Sequence, residues 1–412
     1  MAARPSLWRH RDFMLLWIGQ SVSRLGDQFT GFALPVLAVV TLHPGAGEMG
    51  VLAAAGTLPF LLFGLLVGVW VDRLRKRPVL IVGDLGRGIL VGSIALLGFA
   101  HLLQMTYLYA FSFAVGVLTV FFDIAYQAYL PVLVPRETLT DANSKLETTS
   151  TMAQVAGPSL AGVVVELFTA PAAMVFDAFS FFFSTGAMLR IRKDEPRSER
   201  SARGSLRADL REGLHVVLGE PRLRMIAGCT GTSNFFSSAL FALFVLYAID
   251  ELGFSPLALG IVQAIGAAGG VAGALAATPI ANRVGVGWAI IVGAVLFGFA
   301  AIPIPLAAGS LAFWIIGASL ALTSFGSLLY NINQVSFRQT IVPIRLQGRL
   351  NATMRTIVWG TLPLGGLAGG ILGETFGLRQ AILIAAIGGC FAFLWVLLSP
   401  VRAIREMPEP AA

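Results

Sequence analysis

Runs of twenty or more largely apolar residues recur along the whole chain, and the short segments between them collect nearly all of its basic side chains. A helix needs roughly 20 such residues to cross a bilayer, because the hydrocarbon offers no water to satisfy an open backbone. Only 12% of the 412 residues are charged, against about 25% in a soluble domain, so the chain cannot keep itself in water. The pattern predicts an all-α membrane protein with twelve transmembrane helices, at 12–41, 47–71, 78–101, 105–133, 146–168, 171–191, 223–249, 256–281, 287–308, 310–337, 353–375 and 379–400. Its expected setting is a bacterial inner membrane, with the lipid bilayer as its main partner.

The basic residues orient these spans, since Lys and Arg are retained in cytoplasmic loops. Of 29 Lys and Arg, 26 fall in the termini, in the connections after spans 2, 4, 6, 8 and 10, or within three residues of the span ends that meet those connections. Arg24 and Arg87 lie inside spans, and only Arg379 falls on the opposite side. Both termini are therefore expected in the cytoplasm. The net charge of +7 is accounted for by this topological bias, so no nucleic-acid partner is implied. MAARPSLWRH at the start lacks the apolar core of a cleavable signal, and the first span is expected to act as the insertion signal.

The stretch from Lys193 to about Gly219 is the only long polar one and divides the chain near its middle. Sliding the second half onto the first at an offset of 208 residues lays VPRETLTDANSKLET from Val134 over VPIRLQGRLNATMRT from Val342. Asn143 meets Asn351, Thr148 meets Thr356, and Gly157 and Gly162 land on Gly365 and Gly370. Two six-helix bundles of the same orientation follow, at 1–192 and 223–412, joined by a cytoplasmic linker at 193–222. Parallel repeats of this kind place a substrate site between the halves and permit alternating access by rocking. Asn143 and Asn351 each precede an apolar run and read as helix N-caps.

After the second span the chain reads GVWVDRLRKRP, and Gly68, Asp72, Arg73, Lys76 and Arg77 resemble the signature loop of the major facilitator superfamily. Arg75 stands where that family usually has a second Gly. The repeat copy, TPIANRVG, keeps Arg283 and has Asn282 in place of the acid. AQVAGPSLAG in the fifth span resembles the Gly-Pro motif of the superfamily's antiporters, at Gly157, Pro158 and Gly162. The longer strings VFFDIAYQAYLPVLVPRE, ANSKLE and AQVAGPSLAG are similar to the bacterial exporter subgroup of enterobactin exporters and macrolide efflux pumps. The resemblance implies the twelve-helix facilitator fold, a small-molecule substrate, protons as the coupling ion, a monomer and no cofactor.

Ionisable side chains inside a membrane are costly and mark function by default. SRLGDQF in the first span sets Arg24 and Asp27 three residues apart on one face, and Asp123 lies at similar depth in the fourth, one turn from Gln127. Arg24 is within reach of Asp27 or Asp123. Two carboxyls beside one Arg make a candidate proton site, because the ion pair holds one charged while burial favours the neutral form of the other. Asp27 is the expected carrier, Asp123 its rival, and a permanently paired packing cluster the third reading. Asp84 and Arg87 in the third span suit a cytoplasmic gate or a local ion pair; Asp177 and Glu166 have no assigned role. The second half has no matching acid. Asn234, Asn331 and Gln334 there, with Gln127, are candidate cavity contacts or interhelical hydrogen bonds.

Cys229 and Cys390 fall inside spans and suggest neither disulfide nor metal, and the four His residues lie at helix ends or in loops. No nucleophile–base pair, metal spacing or phosphate loop is apparent, so the chain is not expected to be an enzyme. The leading expectation is a proton-coupled exporter of an amphipathic drug-like or siderophore-like compound. Uptake of a metabolite or lysolipid on the same fold is the second reading, and a non-transporting membrane protein the third.

Overall fold

A computed structural model describes residues 7–193, 195 and 206–407, without the side chains of 65, 69, 72, 206–210, 344, 345, 349 and 352. All regular structure among these residues is helical. In chain order the helices are α1 Arg11–Leu37, α2 Ala46–Arg73, α3 Lys76–Phe99, α4 Met105–Leu133, α5 Leu139–Leu167, α6 Ala170–Leu189 and α7 Leu206–Gly219. There follow α8 Pro221–Leu246, α9 Pro256–Val284, α10 Val286–Phe299, α11 Pro303–Leu306, α12 Ala312–Ile341, α13 Ile344–Trp359, α14 Thr361–Phe376, α15 Leu378–Cys390 and α16 Phe393–Leu397. Single turns of tighter or wider helix decorate their ends.

Local chemistry sets the starts. His10 Nδ1 accepts from Phe13 N (3.1 Å) ahead of α1, Thr169 Oγ1 accepts from Ala172 N (3.3 Å) ahead of α6, and Pro221 takes the first position of α8. Gly285 and Gly377 open α10 and α15 at φ 89° and 85°, a region closed to most side chains.

Eleven helical stretches among the described residues are long and apolar enough to cross a membrane. The fifth predicted span lies on α5, which is as long as its neighbours but carries Asp141, Lys145, Glu147 and Glu166. Here the sequence reading needs correcting at the helix starts. α5 begins at Leu139 and α13 at Ile344, so Asn143 and Asn351 stand inside helices and cap neither. Helical turns outside the hydrocarbon need no apolar side chains, and the apolar pattern therefore underestimates their length.

The helices group by contact into two units, one of Met1–His43, Leu62–Arg203 and Ser255–Gly260, the other of Pro44–Leu61, Gly204–Phe254 and Ile261–Ala412. Within the first, α1 packs on α5 and α6, and α3 on α4 and α6. Within the second, α8 packs on α14 and α15, and α10 on α12 and α15. Each helix pair in one unit thus has its counterpart in the other, and the repeat is one of packing as well as of sequence.

Each unit also holds one end of a helix from the other half of the sequence, seated on glycine. In the first unit Gly260 of α9 lies against Pro158 O and Gly162 Cα of α5. In the second, Gly50 of α2 lies against Gly366 O and Gly370 Cα of α14. The 208-residue offset carries Pro158 and Gly162 onto Gly366 and Gly370, so the same contact is made twice. A Cβ on Gly50 would sit 2.7 Å from that carbonyl, and one on Gly260 would sit 2.5 Å from Pro158 O. Backbone cannot retreat as a side chain can. Gly50→Val and Gly260→Val are each expected to lower the thermal midpoint of the purified protein, at a cost of about 1–3 kcal/mol. Gly56→Ala, at a site with open space around it, should leave the midpoint unchanged or slightly raised.

Candidate functional site

Six charged side chains meet inside the first unit. Arg24 Nη1 lies 3.8 Å from Asp27 Oδ2 and Arg24 Nη2 lies 3.6 Å from Asp123 Oδ1, so α1 and α4 share one guanidinium. Arg87 on α3 donates to Asp84 through Nη2, and its Nη1 lies 4.0 Å from Asp27 Oδ1. Asp27 therefore lies within ion-pair distance of both arginines. Asp84 and Arg87 form the local ion pair that was one of their two expected roles, and Arg87 joins it to this cluster.

Aromatic rings wall the centre. The Arg87 guanidinium stands 4.2 Å from the Phe122 ring centroid and 4.5 Å from that of Phe181, a placement that favours a cation over two π faces. Its Nε hydrogen-bonds nothing, nor does Asp84 Oδ2.

Gly26 explains how a fourth carboxyl joins. A Cβ there would collide with Ser180 and Asp177 of α6, and without one α6 closes onto α1 beside the Arg24–Asp27 pair. Asp177, buried, accepts from Ser180 Oγ (3.1 Å) and leaves Oδ2 without a hydrogen bond. Nothing in the sequence beyond an acid in an apolar run pointed to it. Exposure separates the four acids: the side chains of Asp27 and Asp123 are 28% and 20% exposed, that of Asp84 not at all. A cavity of about 70 Å³ lined by Gln20, Arg24, Tyr126 and Glu147 reaches Arg24 from the α5 side. Gln127 is exposed and does not line it.

The loop after α2 is tied to the segment after α6. Glu195 accepts from Lys76 N (2.6 Å) and Arg77 N (3.1 Å), capping α3, while Arg77 Nε and Nη2 donate to Met188 O and Leu189 O at the end of α6. Gly68 lies within α2, Arg73 ends it exposed, and the Asp72 side chain lies outside the described residues. In the second unit Asn282 and Arg283 end α9 exposed. There, Val286 N and Gly287 N donate to Arg405 O and Ile404 O, backbone serving where Glu195 serves in the first unit. In the antiporter-like motif, Gly157 admits the Gln28 side chain of α1, and Pro158 and Gly162 receive Gly260.

The second unit contains a polar cavity of about 330 Å³. Asn234, Asn331 and Gln334 all line it. Asn234 Nδ2 donates to Val358 O (3.1 Å), and Gln334 Nε2 donates to Asn331 Oδ1 (2.8 Å). Arg338, one residue beyond the predicted tenth span, and Arg355, near the start of the predicted eleventh, also line it.

The sequence profile of the Major Facilitator Superfamily matches residues 16–362. The chain is 25% identical over 395 residues to the multidrug efflux pump Tap of Mycolicibacterium fortuitum, covering 91% of this chain and 92% of that one. It is 25% identical over 268 residues to macrolide efflux protein A of Streptococcus pyogenes, covering 64% of this chain and 65% of that one. Among solved structures, the nucleoside transporter NupG superposes with a TM-score of 0.76 at 14% identity, over 94% of this chain and 99% of that one. A bacterial homologue of the iron transporter ferroportin, inward-facing, gives 0.72 at 18% identity, over 95% of this chain and all of that one.

Removing one partner of a buried ion pair strands the other charge. Arg87→Met is expected to destabilise the protein by about 3–5 kcal/mol, and adding Asp84→Leu should recover most of that loss. Thermal unfolding of both variants in detergent measures it.

Proposed function

The chain belongs to the Major Facilitator Superfamily, and on that premise we propose that it is a proton-coupled exporter working by alternating access. Its cargo on this reading is an amphipathic, drug-like or siderophore-like compound. The observation that carries the proposal is the cluster on α1, α3, α4 and α6, where four carboxyls surround two guanidiniums. Arginine keeps its proton in any protein. With every acid ionised the cluster would hold two uncompensated negative charges in low dielectric, so protons on the carboxyls are the economical way to balance it.

Asp27 is the carrier in this reading, and Asp123 the second candidate. When Asp27 takes a proton it gives up both arginines, leaving Arg24 to Asp123 and Arg87 to Asp84. On losing the proton it pulls them back across α1, α3 and α4. Its side chain is partly exposed where that of Asp84 is not, which favours it as the group that exchanges the proton. That exchange of partners is the two-state element a rocking transition needs. Arg73, Arg77 and their repeat partners Asn282 and Arg283 would then form the cytoplasmic gate, with Gly68 and Asp72 in the same loop. The cavity of Asn234, Asn331 and Gln334 would take cargo. Twelve spans, cytoplasmic termini and a monomeric state complete the proposal. The similarity to Tap, a multidrug efflux pump, and to macrolide efflux protein A supports export over uptake.

The test is transport in cells and in proteoliposomes. Export of a radiolabelled macrolide should stop when a protonophore collapses the proton gradient with ATP maintained. Asp27→Asn should still exchange the compound across the membrane but lose at least tenfold of its gradient-driven accumulation. Export that survives the protonophore, or full coupling in Asp27→Asn, overturns the proposal.

A further inference from the structure

We infer that the cavity in the second unit is an anion subsite, which takes the acidic group of an amphipathic aromatic cargo. The idea that the ligand is cargo rests on the exporter reading; its binding does not.

The lining carries the argument. Arg338 of α12 and Arg355 of α13 both face the cavity, and among the described side chains no Asp or Glu lines it. A basic residue that served only to orient the membrane spans would extend its head into water. Arg338 does the opposite: its Nε is buried and hydrogen-bonds nothing. A guanidinium with an unused donor beside a cavity is costly unless an anion completes it.

One helical turn away, Gln334 is 3% exposed, and its Oε1 also lacks a partner. The amide nitrogen is already engaged by Asn331. An acceptor left open next to an open cationic donor matches a ligand that brings an acid group together with a hydroxyl or N–H.

The apolar half of the ligand has walls as well. Arg355 stacks at 4.4 Å on the Trp359 ring, and the Phe60 ring stands 5.5 Å from the same guanidinium. Trp359 and Phe297 both border the cavity. Stacking fixes the plane of the Arg355 guanidinium, and the unused Arg338 Nε beside it suits a planar anion such as a carboxylate. Aromatic flanks beside a planar cation suit an aromatic body on that acid. A neutral or cationic compound of the same shape would leave Arg338 unsatisfied.

Equilibrium binding to the full chain in phosphatidylcholine nanodiscs tests this with three tritiated probes: 2-naphthylacetate, its primary amide and its trimethylammonium analogue. The acid should bind at least tenfold more tightly than either relative. Arg338→Gln should cost the acid about tenfold and leave the amide unchanged, which also shows that the variant is folded; Arg338→Lys should keep most of the acid's affinity. Adding phosphatidylglycerol should leave the acid's affinity as it was. Equal binding of acid and amide, equal loss of both in Arg338→Gln, or displacement of the acid by phosphatidylglycerol overturns the subsite. The last result would make its anion a lipid headgroup. If macrolide export is proton-driven while acid and amide bind alike, the subsite fails and the exporter reading stands. If the acid binds selectively but no proton gradient moves any compound, the reverse holds.

Discussion

Two guanidiniums have to satisfy four carboxyls that the bilayer would otherwise force into the neutral state. Arg24 divides itself between α1 and α4, and Arg87 ties α3 to α1, so three of the four helices that bring an acid inward are linked by shared charges. Packing follows from this. Gly26 has no side chain because α6 must close where Asp177 and Ser180 arrive, and Phe122 and Phe181 cover Arg87 because a buried cation with an idle donor needs π faces. Asp27 is the joint of the network, since it lies within ion-pair distance of both arginines and is partly exposed. A proton placed on it changes the partners of two helices at once.

The two units repeat one packing scheme with different chemistry. The first concentrates acids and the second offers amides and two arginines around a cavity, so on the proposed function proton and cargo are handled by different groups. Coupling between them then has to be conformational, because no single side chain is contested by both. The paired glycine seats, Gly260 on α5 and Gly50 on α14, give each unit one rigid backbone contact with a helix end that comes from the other half of the sequence. Small residues let helices approach closely where no apolar side chain would add anything over lipid.

Much of this was legible in the sequence because membrane helices are written in long apolar runs. The spans, the 208-residue repeat and the Arg24–Asp27 spacing all depend on local pattern. What escaped was long-range or lay outside the hydrocarbon. Asp177 is recruited through the space left by Gly26, and no spacing within α6 announces that. The Asp84–Arg87 pair was visible, but its bond to Asp27 crosses from α3 to α1. Asn143 and Asn351 looked like caps because polar residues before an apolar run suggest a helix start, whereas here the helices continue outside the membrane. The same extension carried Arg338 out of a supposed loop and onto the cavity wall.

The sharpest test bears on the Asp27 carboxyl itself. Infrared difference spectra of the purified protein, recorded as the pH is stepped, report the C=O stretch of protonated carboxyls. Wild type should show such a band rising as the medium is acidified, and Asp27→Asn should lose it while keeping the remaining carboxyl signals. Identical spectra from the two proteins would contradict the assignment of Asp27 as the proton carrier.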